Sequence, residues 1–128
     1  MKKRGTSLGI ITALLIIIII IVIRGNLFKS SPLEKDFNRN NSHFIYTKHA
    51  RCRMDCRHID EAEVQEILQQ GRINYRKSEP AGRPDPKYAL EGTTRDGQQV
   101  RIVFAPAKRG MVVITVIDLG TEWSCDCK

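Results

Sequence analysis

The sequence lacks the short motifs that identify the best-known enzyme sites. It contains no glycine-rich phosphate-binding loop, no G-x-S-x-G and no H-E-x-x-H, so the enzyme classes built on those motifs are excluded. Acidic pairs at catalytic spacing are absent too, because Glu61, Glu63 and Glu66 are ordinary acids of a helix start and surface. With 128 residues, the chain has room for one domain of ordinary size, which excludes Rossmann enzymes, α/β barrels and solenoids.

Charge is absent from residues 8–23, whose sequence is LGIITALLIIIIIIVI. As a helix this segment is about 24 Å long, which is short for a bilayer core of roughly 30 Å, and Arg4 and Arg24 can reach the two interfaces. A packed soluble helix would need a polar face, which is missing here. No small-residue cleavage site follows. The sequence therefore predicts an uncleaved transmembrane anchor over residues 1–24, which contacts the lipid bilayer through residues 8–23.

Basic residues flank the apolar segment, with Lys2, Lys3 and Arg4 before it and Arg24 and Lys29 after it. Their slight excess on the N-terminal side predicts a single-pass membrane protein with its C-terminal domain outside the cytoplasm, on the periplasmic side. The rest of the chain is only mildly basic, which is too little to indicate nucleic-acid binding by itself.

The chain beyond the apolar segment divides into a linker and a domain. Residues 25–42 are rich in Asn and Ser, contain Pro32 and show no lasting period. This composition predicts a flexible linker. A small α+β domain is expected over residues 43–128.

Helix and strand signals follow one another through residues 43–128. In chain order the predicted elements are a strand over His43–Tyr46, a helix over Lys48–Arg57, a helix between Asp60 and Gly71, and strands over Arg72–Ser78, Lys87–Thr94, Gln98–Ala105 and Met111–Leu119. Asp60 and Glu63 form a capping box, and Asp96-Gly97 is a strong hairpin signal. The order β-α-α-β-β-β-β predicts two helices packed on a mainly antiparallel sheet of four or five strands.

The four cysteines form two close pairs, with Cys52 and Cys56 on the first helix of the domain and Cys125 and Cys127 in the final tetrapeptide. Neither close pair bridges easily within itself, so disulfides between helix and tail are expected. Two connectivities remain open: Cys52–Cys125 with Cys56–Cys127, or Cys52–Cys127 with Cys56–Cys125. Each bond would close a loop of about 70 residues, and the first would stabilise by roughly 4 kcal/mol. The alternatives are zinc held by the four thiolates or unlinked thiols, and the redox compartment decides.

His49, Arg53 and Arg57 lie at i, i+4 and i+8 on the first helix of the domain and form one stripe. Two neighbouring arginines favour an anion opposite them, either a carboxylate or a phosphate. A histidine that moves a proton near neutral pH, together with arginines that stabilise charge on phosphorus, would suit phosphodiester cleavage. In the alternative interpretation, the arginines pair with carboxylates of the sheet and the histidine is structural.

The run from His49 to Ile59, followed by Val64 and Leu68 on the next helix, resembles the bacterial family called domain of unknown function 4258. Residues Val113–Val116 resemble the closing strand of that family. The resemblance covers roughly residues 43–118 and implies the fold of the RelE, barnase and EndoU type of ribonuclease. His58 departs from the family pattern, in which glycine is usual at this place.

The resemblance also implies a site. It implicates His49, Arg53, Arg57 and Thr115, to which we add Arg101 on the preceding strand. In such a site His49 would be the general acid or base, and the arginines would bind phosphate.

Taken together, the sequence favours a membrane-anchored α+β domain that serves as a binding or structural module. The alternative is a metal-independent ribonuclease or toxin-type enzyme that acts on RNA. A second alternative is a domain facing the cytoplasm and stabilised by zinc at Cys52, Cys56, Cys125 and Cys127. Apart from that zinc no cofactor is expected, and the partner is RNA or a protein that the sequence does not specify.

Overall fold

The structure, a computed structural model, describes residues 6–27 and 37–128, with side chains described over residues 9–24 of the first range. The chain divides into two compact units, residues 1–35 and residues 36–128. Lys2, Lys3 and Arg4, on which the predicted orientation depends, lie outside the described residues. Residues 28–36 of the predicted linker lie outside them as well.

Helix α1 covers Thr6–Leu27 and belongs to the first unit. Its aliphatic side chains are exposed all along the helix, from Ile10 to Ile23. Within the part of the chain that the structure describes, no helix is both long enough and apolar enough to cross a bilayer. The transmembrane anchor predicted over residues 1–24 is therefore not supported by the structure.

The second unit contains two helices and a five-stranded sheet. Its elements are β1 (Phe44–Tyr46), α2 (Lys48–Arg57), α3 (Glu61–Gln70), β2 (Arg72–Ile73), a 3-10 turn (Tyr75–Lys77), β3 (Tyr88–Thr93), β4 (Gln99–Ala107) and β5 (Gly110–Asp118). The strand order is β1-β5-β4-β3-β2, in which β1 runs parallel to β5 and the other neighbours are antiparallel. The predicted α+β class with a mainly antiparallel sheet is confirmed.

Local side-chain hydrogen bonds determine where both helices of the domain begin. The Thr47 hydroxyl accepts a hydrogen bond from the Ala50 N–H at 3.0 Å and donates one to the Ile114 carbonyl at 3.0 Å. Thr47 therefore both caps α2 and fastens it to β5. Asp60 and Glu63 form the predicted capping box at the start of α3. These contacts satisfy N–H groups that a helix cannot satisfy itself.

The strand predicted over Arg72–Ser78 is wrong beyond its second residue. The Asn74 side chain accepts a hydrogen bond from the Arg76 N–H at 3.1 Å, and the Ser78 hydroxyl donates to the Asn74 carbonyl at 2.7 Å. Such side-chain to backbone bonds compete with the strand ladder. The chain therefore leaves the sheet after Ile73 and turns.

Helices α2 and α3 pack on one face of the sheet, and the core lies between them and the strands. Its fully buried side chains come from α3 and from the central strands and include Leu68, Leu90, Ile102 and Val113. Gly92 allows the close packing of α3 on β3, because a Cβ there would lie 2.8 Å from Cδ1 of Ile67. Neither α2 nor α3 lies on the opposite face of the sheet.

Part of the predicted linker belongs to the domain. Phe37 is 4% exposed and its ring centroid lies 4.6 Å from that of Tyr88. Nη1 of Arg39 donates hydrogen bonds to the carbonyls of Leu68 and Gly71 at the end of α3. The packed unit therefore begins before residue 43.

His58 ends α2 in the left-handed conformation, with φ of 56°. The Ile59 N–H donates back to the Met54 carbonyl at 3.0 Å, which closes the last turn. Glycine adopts this conformation without steric cost, whereas other residues do so rarely. The glycine usual at this place in the resembled family is thus explained by backbone geometry.

Candidate functional site

The predicted stripe on α2 runs from solvent into the core. His49 is exposed and its side chain forms no hydrogen bond with the described residues, and Arg53 is partly buried. Arg57 is only 8% exposed and belongs to the same buried face as Ala50 and Met54. The three side chains therefore do not face one open cleft together.

Arg57 holds the edge of β5. Its guanidinium Nη1 donates a hydrogen bond to the carbonyl of Val116, on the part of β5 that β1 does not reach. The carbonyl of Arg57 in turn accepts a hydrogen bond from Nε2 of Gln98 at 3.0 Å. Burial, and after it the neighbouring charge of Arg53, lowers the pKa of Arg57, while Asp118 acts in the opposite direction. The contacts of Arg57 are therefore with the protein itself.

Arg101 and Thr115 lie on the sheet face that points away from the helices. Arg101 is paired with Ile117 and Val103 with Thr115, whereas the fully buried Ile102 is paired with Val116. Neighbouring residues of a strand point to opposite faces, and directly paired residues share a face. The structure therefore brings Arg101 and Thr115 to one face and separates both from His49, Arg53 and Arg57.

Arg101 belongs to a charged network that crosses three strands of the outer face. Nε of Arg101 donates a hydrogen bond to Oε1 of Glu91 at 2.6 Å, and Nδ2 of Asn74 donates to the same oxygen at 2.8 Å. Arg72 stands directly across from Glu91 in the sheet. Burial would raise the pKa of Glu91, but the hydrogen bonds from Asn74 and Arg101 and the nearby charges of Arg101 and Lys77 lower it below its ordinary value.

Two hollows open beside this network. The larger, of about 480 Å³, is lined by Arg72, Ile73, Asn74, Tyr75, Arg76 and Glu91. The smaller, of about 250 Å³, is lined by Arg72, Glu91, Gly92, Thr93, Gln99 and Leu119. Arg72 and Glu91 therefore border both. Sequence reasoning missed both residues, because only the strand register reveals that Glu91 lies beside Arg72 and Arg101.

The cysteines form two disulfides, Cys52–Cys127 and Cys56–Cys125. This is the second of the two connectivities left open by the sequence. The two disulfides argue against the zinc alternative, because all four sulfurs are used in disulfide bonds. In the described ranges, 6–27 and 37–128, no group of His, Cys, Asp or Glu side chains is placed to hold a metal ion.

The tail that carries Cys125 and Cys127 is also fixed by Asp118 at the end of β5. The Asp118 carboxylate accepts hydrogen bonds from the Gly120 and Thr121 N–H groups and from Nε1 of Trp123 at 2.9 Å. Burial would raise the pKa of Asp118, but these hydrogen bonds and nearby Arg57 lower it overall. The rings of Trp123 and His58 pack in a T-shaped arrangement, with 5.6 Å between centroids. The tail therefore lies along the C-terminal end of α2.

These features define a small α+β domain whose tail is clamped to its first packed helix by two disulfides. A family model described as Domain of unknown function (DUF4258) matches residues 46–118, more than half of the chain, and the chain belongs to that family. Neither the curated proteins nor the solved structures contain a significant match. The likeness to the RelE, barnase and EndoU type of ribonuclease is therefore not confirmed by these comparisons.

Replacing Arg57 by Met is expected to lower the free energy of unfolding by about 2 kcal/mol, because the Val116 carbonyl loses its charged donor inside the protein. Arg53→Met is the matched control on the same helix. Arg53 is only partly buried, and its side chain donates no hydrogen bond to a described backbone carbonyl as Arg57 does, so we expect a loss below about 0.5 kcal/mol. Urea unfolding of the oxidised chain in detergent measures both. Equal stabilities of Arg57→Met and the native chain would contradict the structural role.

Removing the two disulfides one after the other is expected to lower the free energy of unfolding by unequal amounts. With one bond intact, the other closes a ring of only a few residues and is worth about 2 kcal/mol, whereas the last remaining bond closes a loop of 69 or 75 residues and is worth about 4 kcal/mol. Serine replacement of one bonded pair, then of both pairs, followed by urea unfolding, measures the two steps. Equal losses at both steps would contradict this loop-closure account.

Proposed function

We propose that this chain is a membrane-anchored binding module of its family and has no catalytic activity. The observation that carries the proposal is the buried guanidinium of Arg57, which donates to the Val116 carbonyl. Because Arg57 is only 8% exposed, its guanidinium is not accessible to a substrate phosphate. The hypothetical general acid or base, His49, is exposed and lies on the opposite side of the sheet from Arg101 and Thr115.

Ribonuclease activity is the alternative that this proposal opposes. Catalysis of phosphodiester cleavage needs an acid or base and cationic groups around one phosphorus atom. The candidate residues are divided between a helix surface, a buried strand edge and the outer face of the sheet. This dispersal supports a binding role over an enzymatic one.

The full-length chain in detergent is expected to leave single-stranded RNA intact, even when the protein is in molar excess over the RNA and EDTA is present. His49→Ala is the matched variant. Cleavage by the native chain that His49→Ala abolishes would overturn the non-catalytic proposal. Equal cleavage by both proteins would indicate a contaminating nuclease. Further purification should then remove the cleavage from both proteins, and neither should cleave RNA afterwards.

The membrane anchoring in this proposal rests on the apolar composition of residues 8–23, because no described helix is by itself long and apolar enough to span a bilayer. The described side chains of helix α1 are uncharged up to Arg24, and the aliphatic ones are exposed by about half or more, from 48% at Ile20 to 64% at Ile21. A helix that is apolar on every side is stable only when an apolar medium surrounds it. Residues 8–23 would lie among lipid chains, with Arg24 at the interface.

The two disulfides support a location of the domain outside the cytoplasm. Such bonds are typical of oxidising compartments and are rare in the cytoplasm. We therefore propose that the domain lies outside the cytoplasm, which agrees with the weak excess of basic residues before the apolar segment.

The native chain is expected to stay in the membrane pellet after alkaline carbonate extraction. Substituting Asp at both Ile16 and Ile17 should release it to the soluble fraction, since each Asp opposes insertion by about 3 kcal/mol at the centre of a membrane helix. Leu at the same two positions is the matched control and should remain in the pellet. Recovery of the native chain in the soluble fraction would contradict the anchor.

A further inference from the structure

We propose that the outer face of the sheet binds a small phosphorylated, hydroxyl-rich molecule in the two hollows that Arg72 and Glu91 share. This inference rests on the proposed binding function and names its site and ligand class. The site is distinct from the predicted stripe on α2. It is built by residues of β2, β3 and β4, by the turn that follows β2, and by Leu119 just after β5.

The larger hollow has the charge of an anion site. Arg72 and Arg76 line it, both are exposed, and neither forms an ion pair with any described residue. Arg101 and Lys77 add positive charge near Glu91. Two guanidiniums without carboxylate partners around one hollow match a phosphate, whose oxygens accept several charged hydrogen bonds at once.

Glu91 determines what else the ligand must carry. Its Oε1 already accepts hydrogen bonds from Arg101 and Asn74, while its Oε2 accepts none from the described residues. An ionised oxygen at the border of an anion site repels a bare phosphate and favours a ligand that donates an O–H or N–H beside the phosphate. Inorganic phosphate alone is therefore a poor match.

The smaller hollow is suited to the rest of such a ligand. Beyond Arg72 and Glu91 it is lined by Thr93 and Gln99, whose hydroxyl and amide both donate and accept hydrogen bonds, and by the apolar Leu119. Neutral hydrogen-bonding groups next to a cationic hollow fit the hydroxyl groups of a sugar phosphate. The larger hollow, at about 480 Å³, lies in the usual range for small-molecule sites.

Calorimetric titration of the oxidised full-length chain in detergent tests the inference, with ribose 5-phosphate, ribose and inorganic phosphate as probes. Ribose 5-phosphate is expected to bind more tightly than either of the others. Arg72→Gln and Arg76→Gln should each weaken its binding about tenfold or more. Arg109→Gln, an exposed arginine in the β4–β5 turn, is the matched control and should bind as the native chain does.

Glu91→Gln gives a readout that a merely structural role would not produce. Removing the negative charge should tighten the binding of inorganic phosphate and shrink the preference for ribose 5-phosphate over it. A uniform loss for both probes would contradict the proposed role of Glu91. Thermal unfolding of each variant identifies losses that come from misfolding.

Three outcomes would overturn the inference: no binding of ribose 5-phosphate at millimolar concentration, native affinity in the Arg72 and Arg76 variants, or an equal loss in Arg109→Gln. The last would indicate general attraction to a basic chain. None of these outcomes contradicts the proposal of a non-catalytic module. That proposal has its own test, which is RNA cleavage that depends on His49.

Discussion

The rest of the domain is organised around the part of strand β5 that β1 leaves unpaired. Strand β1 pairs with β5 over only three residues, Phe44–Tyr46. The Val113, Ile114 and Val116 carbonyls then receive hydrogen bonds from the Thr47 N–H, the Thr47 hydroxyl and the Arg57 guanidinium. A buried carbonyl without a donor costs about 1–3 kcal/mol. Helix α2 is therefore held along β5 at both ends, and its cysteines face the returning tail.

The two faces of the sheet have different roles. The helix face is apolar and holds the core, so an arginine that enters it must bind protein groups, as Arg57 does. Neither α2 nor α3 covers the outer face, and Glu91 and Arg101 form a charged network there while both side chains keep part of their exposure to solvent. This difference explains why Arg57, at the buried end of the predicted stripe on α2, binds the backbone of β5. The two hollows lie on the other side of the sheet.

The family match and the packed unit do not have the same limits. The match covers residues 46–118, whereas Phe37 and Arg39 pack on β3 and α3, and the disulfides bind the segment after β5 to α2. The domain of this chain is thus a family core closed at both ends by additional segments. For a small core, two cross-links supply a large share of the net stability.

The features that could be predicted from the sequence depend on local interactions. The bounds of α2, the capping box of α3 and the Asp96-Gly97 turn follow from interactions within a few residues, and the link from helix to tail follows because neither close cysteine pair bridges easily within itself. The early end of β2, the burial of Arg57 and the proximity of Glu91 to Arg72 and Arg101 could not be predicted in this way. Those depend on strand register and on which helix side meets the sheet, and both are set by packing between residues far apart in the chain.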